Sequence, residues 1–178
     1  MTQAPDSRVL PQYLDARKMA NQGCDLGGIV PLNKLERLNS ALVRDDGVVN
    51  VDLSFTTDER AHRVVDGQIS ATVYVQCQRC LGELEQSVHS DVHLALVAGE
   101  AQAQALPKDL DPWTVVDASA DLYHLIEEEI LLALPMVAYH QTQCVEPELY
   151  SSKHEGSEQE EPVRNPFSVL EQLKGSPE

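Results

Sequence analysis

The sequence has few aromatic residues, which make up only 4% of its 178 residues. Its core must therefore be mainly aliphatic, and an apolar content of 42% in a chain of this length is enough for one domain with a core. No stretch approaches the roughly 20 apolar residues that a membrane-spanning helix needs. The opening residues also lack the apolar centre of a secretory signal. We therefore expect a cytoplasmic protein that does not associate with membranes.

Positive charge is also scarce, since 13 Lys and Arg residues stand against 29 Asp and Glu residues and give a formal net charge of −16. This balance argues against broad, non-specific attraction to nucleic-acid phosphates and favours a basic partner. The cations are concentrated in the first quarter of the chain. There, Arg17, Lys18, Lys34 and Arg37 indicate either a local cationic surface that contacts RNA or simply the solvated faces of helices.

Cysteine is too infrequent for a disulfide-built scaffold, because the chain has only four, and a reducing cytosol favours thiol or metal chemistry. Cys77 and Cys80 form a CxxC motif in the stretch "VQCQRCLGEL", between two predicted strands. A thioredoxin-type redox pair starts a helix, whereas thiolates on a turn resemble half of a tetrahedral zinc site. His140 and Cys144, four residues apart, offer the other half.

These four side chains predict one structural Zn²⁺ held by Cys77, Cys80, His140 and Cys144. About 60 residues separate the two pairs, a spacing much longer than in a compact zinc finger. Two alternatives therefore stay open: reduced cysteines without a metal, and redox or nucleophilic thiol chemistry. Cys24 is interpreted as an ordinary thiol.

The periodicity predicts an α+β domain spanning residues 1–145. "YLDARKMANQG" and "PLNKLERLNSAL" are typical of N-terminal helices, the second with Leu32, Leu35 and Leu38 on one face. From residue 48 the pattern alternates, predicting an antiparallel sheet or partly closed barrel, with an Asp66-Gly67 turn inside residues 63–77. "SADLYHLIEEEILLALP" predicts one long helix after the sheet.

Residues 146–178 are acidic and polar, and we expect a flexible tail because they contain little that could be buried. The tail ends in "NPFSVLEQLK", where Phe167 and Leu170 belong to an apolar stripe typical of a short amphipathic helix. That stripe is a candidate contact for a partner, and docking onto the domain itself is the alternative. Arg79, inside the CxxC motif, is a further candidate contact, for phosphate, with a solvent-exposed ion pair as the alternative.

Several motifs, taken in order, resemble the bacterial YceD family of large-ribosomal-subunit RNA accumulation proteins: "CQRCLGEL", "DLYHLIEEEILLALPMVAYH", Cys144 and "NPFSVLEQLK". The family's CxRC motif falls on Cys77, Arg79 and Cys80, its LALP helix end on residues 129–135 and its closing motif on residues 165–167. Some relatives carry further cysteines after the LALP segment, where this chain has His140 and Cys144.

The resemblance implies a cytoplasmic, non-catalytic factor in the synthesis, processing or stability of large-subunit ribosomal RNA. Such a factor would bind a basic ribosomal protein or the ribosomal RNA precursor. The alternative is a zinc- or thiol-dependent enzyme acting on RNA, which needs an open metal position and a nearby general acid or base. A complete set of four protein ligands favours the structural site and the non-catalytic reading.

Overall fold

The computed structural model describes residues 8–117 and 119–146, and the described residues up to Cys144 belong to one compact unit. The α+β class is confirmed. The elements, in chain order, are β1 (Tyr13–Leu14), α1 (Ala16–Gln22), β2 (Cys24–Pro31), a 3₁₀ turn (Leu32–Lys34), α2 (Glu36–Asn39), β3 (Val48–Thr57), β4 (Arg63–Gln76), β5 (Glu83–Val97), α3 (Glu100–Ala103), β6 (Asp111–Thr114), β7 (Ala120–Asp121) and α4 (Leu122–Ala133).

Five of the strands form one open sheet in the order β2-β3-β4-β5-β6. The first four pair antiparallel, as predicted, but β6 joins the outer side of β5 in parallel. The sheet has two separate edge strands, so the alternative of a partly closed barrel is wrong. The short strands β1 and β7 pair with each other in a second sheet.

The predicted Asp66-Gly67 turn is wrong, because β4 runs unbroken through both residues. Gly67 lies opposite Leu53 of β3 and Val92 of β5, in the interior of the sheet. Its φ is +154°, and a Cβ atom there would collide with the backbone carbonyl oxygen of Asp52. This glycine therefore permits a close approach of two strands and does not reverse the chain.

The N-terminal helices are shorter than predicted. In the second one, Pro31 ends β2, and a 3₁₀ turn followed by the single turn α2 replaces one regular helix. Leu32, Leu35 and Leu38, which were predicted to share one face, are nevertheless all buried. Strand β2 was not anticipated, since Gly27 and Gly28 interrupt any alternation of apolar and polar residues in "CDLGGIVP".

The core lies between one face of the sheet and the helices packed against it. Helix α4 begins at an N-cap, Asp121, whose carboxylate accepts the backbone N–H of His124 at 3.0 Å. Its Glu127 is buried, and the carboxylate accepts the N–H of Leu38 at 2.9 Å, which links α4 to α2. Pro135 follows the helix, as predicted. No helix among the described residues has both the length and the apolar character to cross a membrane.

The prediction of a flexible acidic tail falls on residues of which only Glu146 is described. Phe167 and Leu170 lie outside the described residues, and both parts of that interpretation stay predictions.

Candidate metal centre

The turn between β4 and β5 carries the CxxC motif. Two backbone hydrogen bonds of Cys77 close this turn. Its N–H donates to the carbonyl of Gly82 at 2.8 Å, and its carbonyl accepts the N–H of Leu81 at 2.8 Å. Leu81 has a positive φ of 59°, which tightens the turn. A Cβ on Gly82 would lie 3.3 Å from the sulfur of Cys80, so glycine leaves room for that side chain. The predicted location of the motif between two strands is confirmed.

Residues 135–144 follow α4 without regular secondary structure and contact this turn. The backbone of Gln78 donates to the carbonyl of Ala138 at 2.8 Å, and its side chain donates to the carbonyl of Met136 at 3.3 Å. These bonds align the two segments so that His140 and Cys144 reach the CxxC turn. The long sequence separation between the two halves is therefore bridged by main-chain contacts.

All four predicted ligands meet in one cluster, in which the ligand atoms of Cys77, Cys80, His140 and Cys144 lie within 4.8 Å of one another. The sulfur atoms of Cys77 and Cys144 are 3.8 Å apart, and the sulfur of Cys80 is 3.5 Å from Nδ1 of His140. A tetrahedral zinc ion with bonds of about 2.3 Å to sulfur and about 2.0 Å to nitrogen separates two sulfurs by roughly 3.8 Å and sulfur from nitrogen by roughly 3.5 Å. These two distances match those expected around a zinc ion. All four cysteines are free, without a disulfide.

The second ring nitrogen of His140 also makes a hydrogen bond. Its Nε2 lies 3.0 Å from the carbonyl oxygen of Glu83, the first residue of β5. A carbonyl only accepts, so Nε2 must carry the proton and donate it, which leaves Nδ1 with the lone pair that a metal needs. Such a second contact fixes the orientation of a metal-binding imidazole.

Cys77 is fully buried, and burial acts to raise the pKa of its thiol. Hydrogen bonds to its sulfur from the backbone N–H groups of Cys80, Arg79 and His140 outweigh this effect. Together with the side chain of Cys80, they lower the pKa of Cys77 to about 5. The turn is thus built to hold a thiolate, which is the form that binds a metal.

Cys144 behaves differently. Burial and the neighbouring sulfurs of Cys80 and Cys77 raise the pKa of Cys144, while the positive charge of Arg79 acts in the opposite direction. Adjacent thiolates repel one another, so the site without a cation holds only part of its negative charge. A divalent cation would remove this conflict, because it lowers the pKa of every thiol that coordinates it.

Arg79 holds the second segment in place. Its Nη2 donates to the carbonyl of His140, with a second, longer contact of 3.4 Å to the carbonyl of Thr142. The guanidinium carbon also lies 5.2 Å from the ring centre of Tyr139. Arg79 therefore joins the two halves of the site and adds a positive charge beside a ligand set that, with three thiolates and Zn²⁺, would carry a net charge of −1.

The other cations named from the sequence lie on α1, the 3₁₀ turn and α2. Arg17 donates to the carbonyl of Val115 at 2.5 Å, and Arg37 pairs with Glu128 at 3.3 Å. Lys18 and Lys34 are exposed. Two of the four predicted contact cations thus make contacts within the chain.

The arrangement suits a structural ion better than a catalytic one. The cluster contributes three sulfurs and one nitrogen, which complete a tetrahedron, whereas catalytic zinc keeps a position open for water. Within the described part of the chain, no Asp or Glu belongs to the cluster. A metal bound here would tie the segment after α4 to the hairpin.

Sequence reasoning found the four ligands but missed the groups that orient them. These are the carbonyls of Glu83, Ala138 and Thr142 and the backbone N–H groups around Cys77. Every residue has a carbonyl and nearly every residue an N–H, so no residue type signals their role. Only the Arg in the motif offers a signal, and neither of its two predicted roles, a contact for phosphate or a solvent-exposed ion pair, includes the carbonyls of the second segment.

Comparison with known proteins agrees with the motif order. The family model described as "Large ribosomal RNA subunit accumulation protein YceD" matches residues 65–174. The protein of that name from Haemophilus influenzae is 32% identical over 168 residues, which cover 93% of this chain and 96% of the relative. No solved structure matches.

Proposed function

Because this chain belongs to the YceD family of large ribosomal RNA subunit accumulation proteins, we propose that it supports the accumulation of large-subunit ribosomal RNA in the cytoplasm without catalysing a reaction. It does so by binding a basic ribosomal protein during assembly of the subunit. One structural Zn²⁺ on Cys77, Cys80, His140 and Cys144 keeps residues 135–144, which follow α4, on the hairpin.

The charge distribution carries this proposal. The chain has a formal net charge of −16, and several of its described arginines have partners within the chain: Arg44, for example, contacts Asp46 at 2.5 Å and Glu83 at 3.0 Å. Arg17 and Arg37 also have partners within the chain. A surface of this kind repels bare phosphate and attracts cationic protein, so a ribosomal protein is the favoured contact.

The main experiment tests binding against catalysis by varying the amount of protein. In a strain lacking the gene, the protein is expressed from an adjustable promoter, and the ratio of large- to small-subunit ribosomal RNA is measured. A factor that stays bound to each nascent subunit acts in proportion to its amount, so the ratio should rise until the protein approaches the number of nascent subunits. Full recovery at a few per cent of the normal amount would contradict such stoichiometric binding.

Crosslinking in cells identifies the contact itself. Crosslinked protein is purified under denaturing conditions, and both RNA and protein partners are identified. We expect a ribosomal protein as the major adduct. The matched control is a variant in which exposed carboxylates are replaced by residues of opposite charge. Direct adducts with the ribosomal RNA precursor, lost on Lys18→Glu and Lys34→Glu substitution, would contradict the protein contact and support the cationic surface.

A further inference from the structure

Strand β5 is paired on both sides over only a short part of its length. On one side it pairs with β4 from Glu83 to Ala95. On its other side, β6 begins to pair only at Leu94. Of the residues that the structure describes, no strand covers the outer edge of β5 from residue 83 to residue 93.

The register shows which backbone groups lie on this open edge. The hydrogen bond from the N–H of Cys77 to the carbonyl of Gly82 means that the even-numbered residues of β5 bond to β4. The odd-numbered residues therefore direct their N–H and carbonyl groups outwards. Side chains fill two of these positions, because His140 contacts the carbonyl of Glu83 and Gln86 donates to that of Ser87 at 3.0 Å. The other outward groups, from residue 85 to residue 93, have no strand partner among the described residues.

The same odd-numbered residues place their side chains on the solvent face of the sheet, opposite the helices. Asp91, which contacts His89 at 3.3 Å, has 77% of its side-chain surface accessible and is the most exposed of the residues that form ion pairs on this face. Carboxylates from the neighbouring strands share this face, and between them stand short polar side chains. The carboxylates are Asp25, Asp52, Asp66, Glu83, Glu85 and Asp91, and the short side chains include Asn50, Ser70, Thr72 and Ser87.

The formal charges of the open edge from residue 85 to residue 93 are those of Glu85 and Asp91, with His89 and His93 as further members of the same face and Arg44 beside Glu83 at its end. An edge whose formal charge is negative selects its partner. Pairing two copies of β5 would bring the acidic side chains of one copy against those of the other, and like charges on neighbouring strands are destabilising. A lysine- or arginine-rich strand reverses this effect, because its cations would face Glu85 and Asp91 while its backbone fills the open groups. Strand addition to an exposed edge is a known mode of peptide recognition.

We propose that the outer edge of β5, from residue 85 to residue 93, binds an extended basic polypeptide segment as a sixth strand of the sheet. This inference rests on the proposed function, since it places the contact that a basic ribosomal protein would make. It adds a specific requirement: the partner must contribute backbone N–H and carbonyl groups as well as charge.

The test uses the full chain with zinc and a fluorescent nine-residue peptide of alternating Lys and Thr. The matched control peptide has the same sequence with N-methyl groups on every second residue, which keeps the charge and removes the donors on one edge. Fluorescence anisotropy measures the affinity, and amide hydrogen exchange identifies the protected residues. We expect the unmodified peptide to bind at least about tenfold more tightly than the control and to protect the amides of Glu85, Ser87 and Asp91.

Two protein variants locate the binding. Ser87→Pro removes one outward N–H, a change that edge strands tolerate, and should weaken peptide binding about fivefold relative to Ser87→Ala. Asp91→Lys should weaken binding about tenfold, whereas Asp25→Lys, on β2 at the far edge of the same face, should change it less than about twofold. Asp91→Lys keeps the test valid should Ser87→Pro fail to fold.

Three results would overturn the proposal: equal affinity for both peptides, equal effects of Asp91→Lys and Asp25→Lys, or protection of the edge amides in the free protein. The first two would indicate unspecific charge attraction, and the third an edge that is already occupied, for example by a second copy. Each of these outcomes leaves the dosage and crosslinking results untouched. Failure of the edge and failure of the proposed function are therefore distinguishable.

Discussion

Loss of the proposed zinc ion should destabilise the whole domain. A metal that binds only the folded state contributes about 4 kcal/mol when its free concentration is 1,000 times the dissociation constant. For a chain of this size, 1 kcal/mol corresponds to a shift in melting temperature of about 2–4 °C. Addition of a strong chelator should therefore lower the melting temperature by about 10 °C, measured by circular dichroism in reducing buffer.

The Cys144→Ser variant should weaken zinc binding by removing one of the four proposed ligands. Cys144 lies at the end of residues 135–144, which have no regular secondary structure and meet the hairpin through hydrogen bonds such as that from Gln78 N–H to the carbonyl of Ala138. With one thiolate lost, the variant should contain much less than one zinc per chain. The Gln78 amide should then exchange with solvent faster, because the segment that accepts its hydrogen bond is no longer held by the metal.

Cys24→Ser is the matched control, because it removes a thiol outside the cluster, on β2. It should keep close to one zinc per chain and an unchanged response to the chelator. The metal content of reductively purified protein is measured by mass spectrometry. No zinc in the wild-type protein, or equal zinc in wild-type and Cys144→Ser proteins, would refute the structural metal site.

Three further predictions follow from single residues. The pKa of Cys77 is about 5 in the folded protein and near 9 unfolded, so without metal the unfolded state binds an extra proton between these values. The free energy of unfolding should therefore rise with pH over that range and fall as pH drops towards 5. The urea midpoint of the metal-free wild-type protein should show this pH dependence, and that of Cys77→Ser should not. Arg79→Met removes the bonds that hold the second segment and should weaken zinc affinity about tenfold in competition with a chromogenic chelator, and an unchanged affinity would contradict its positioning role. Gly67→Ala forces a Cβ into the backbone of Asp52 and should cost about 2 kcal/mol or more in urea unfolding, whereas Gly27→Ala, with nothing within 4 Å, should be nearly neutral; equal effects would contradict the close approach.

Local patterns predicted the helices and strands whose buried face can be recognised from their own sequence. The alternation from Val49 to Phe55 and the apolar stripe of α4 predicted a strand and a helix, because each buries one face against the core. The Asp66-Gly67 turn failed for the opposite reason. That pair reverses a chain only when no strand continues beyond it, and here β3 and β5 pair with β4 on both sides of Gly67.

The four proposed metal ligands were predicted from the sequence, but only the CxxC half of the set follows from local spacing. The CxxC spacing is local, so it indicated a turn with two thiols. The partnership with His140 and Cys144 depends on where α4 ends relative to the hairpin, and this follows from packing across the core. The glycine-interrupted β2 and the parallel pairing of β6 likewise depend on contacts between distant segments.

His140 connects the proposed zinc site with the open edge of β5, so a metal at this site would affect how the edge is closed. His140 offers Nδ1 to the cluster and Nε2 to the carbonyl of Glu83, the first outward-facing group of the edge. A bound metal would therefore fix the side chain that ends the edge at this point. Without a metal, only the contacts of the protein itself would hold His140 on the Glu83 carbonyl, and this end of the edge would be less firmly closed. Because an unprotected edge promotes pairing between chains, the metal would limit strand addition to the stretch where Glu85 and Asp91 select a basic partner.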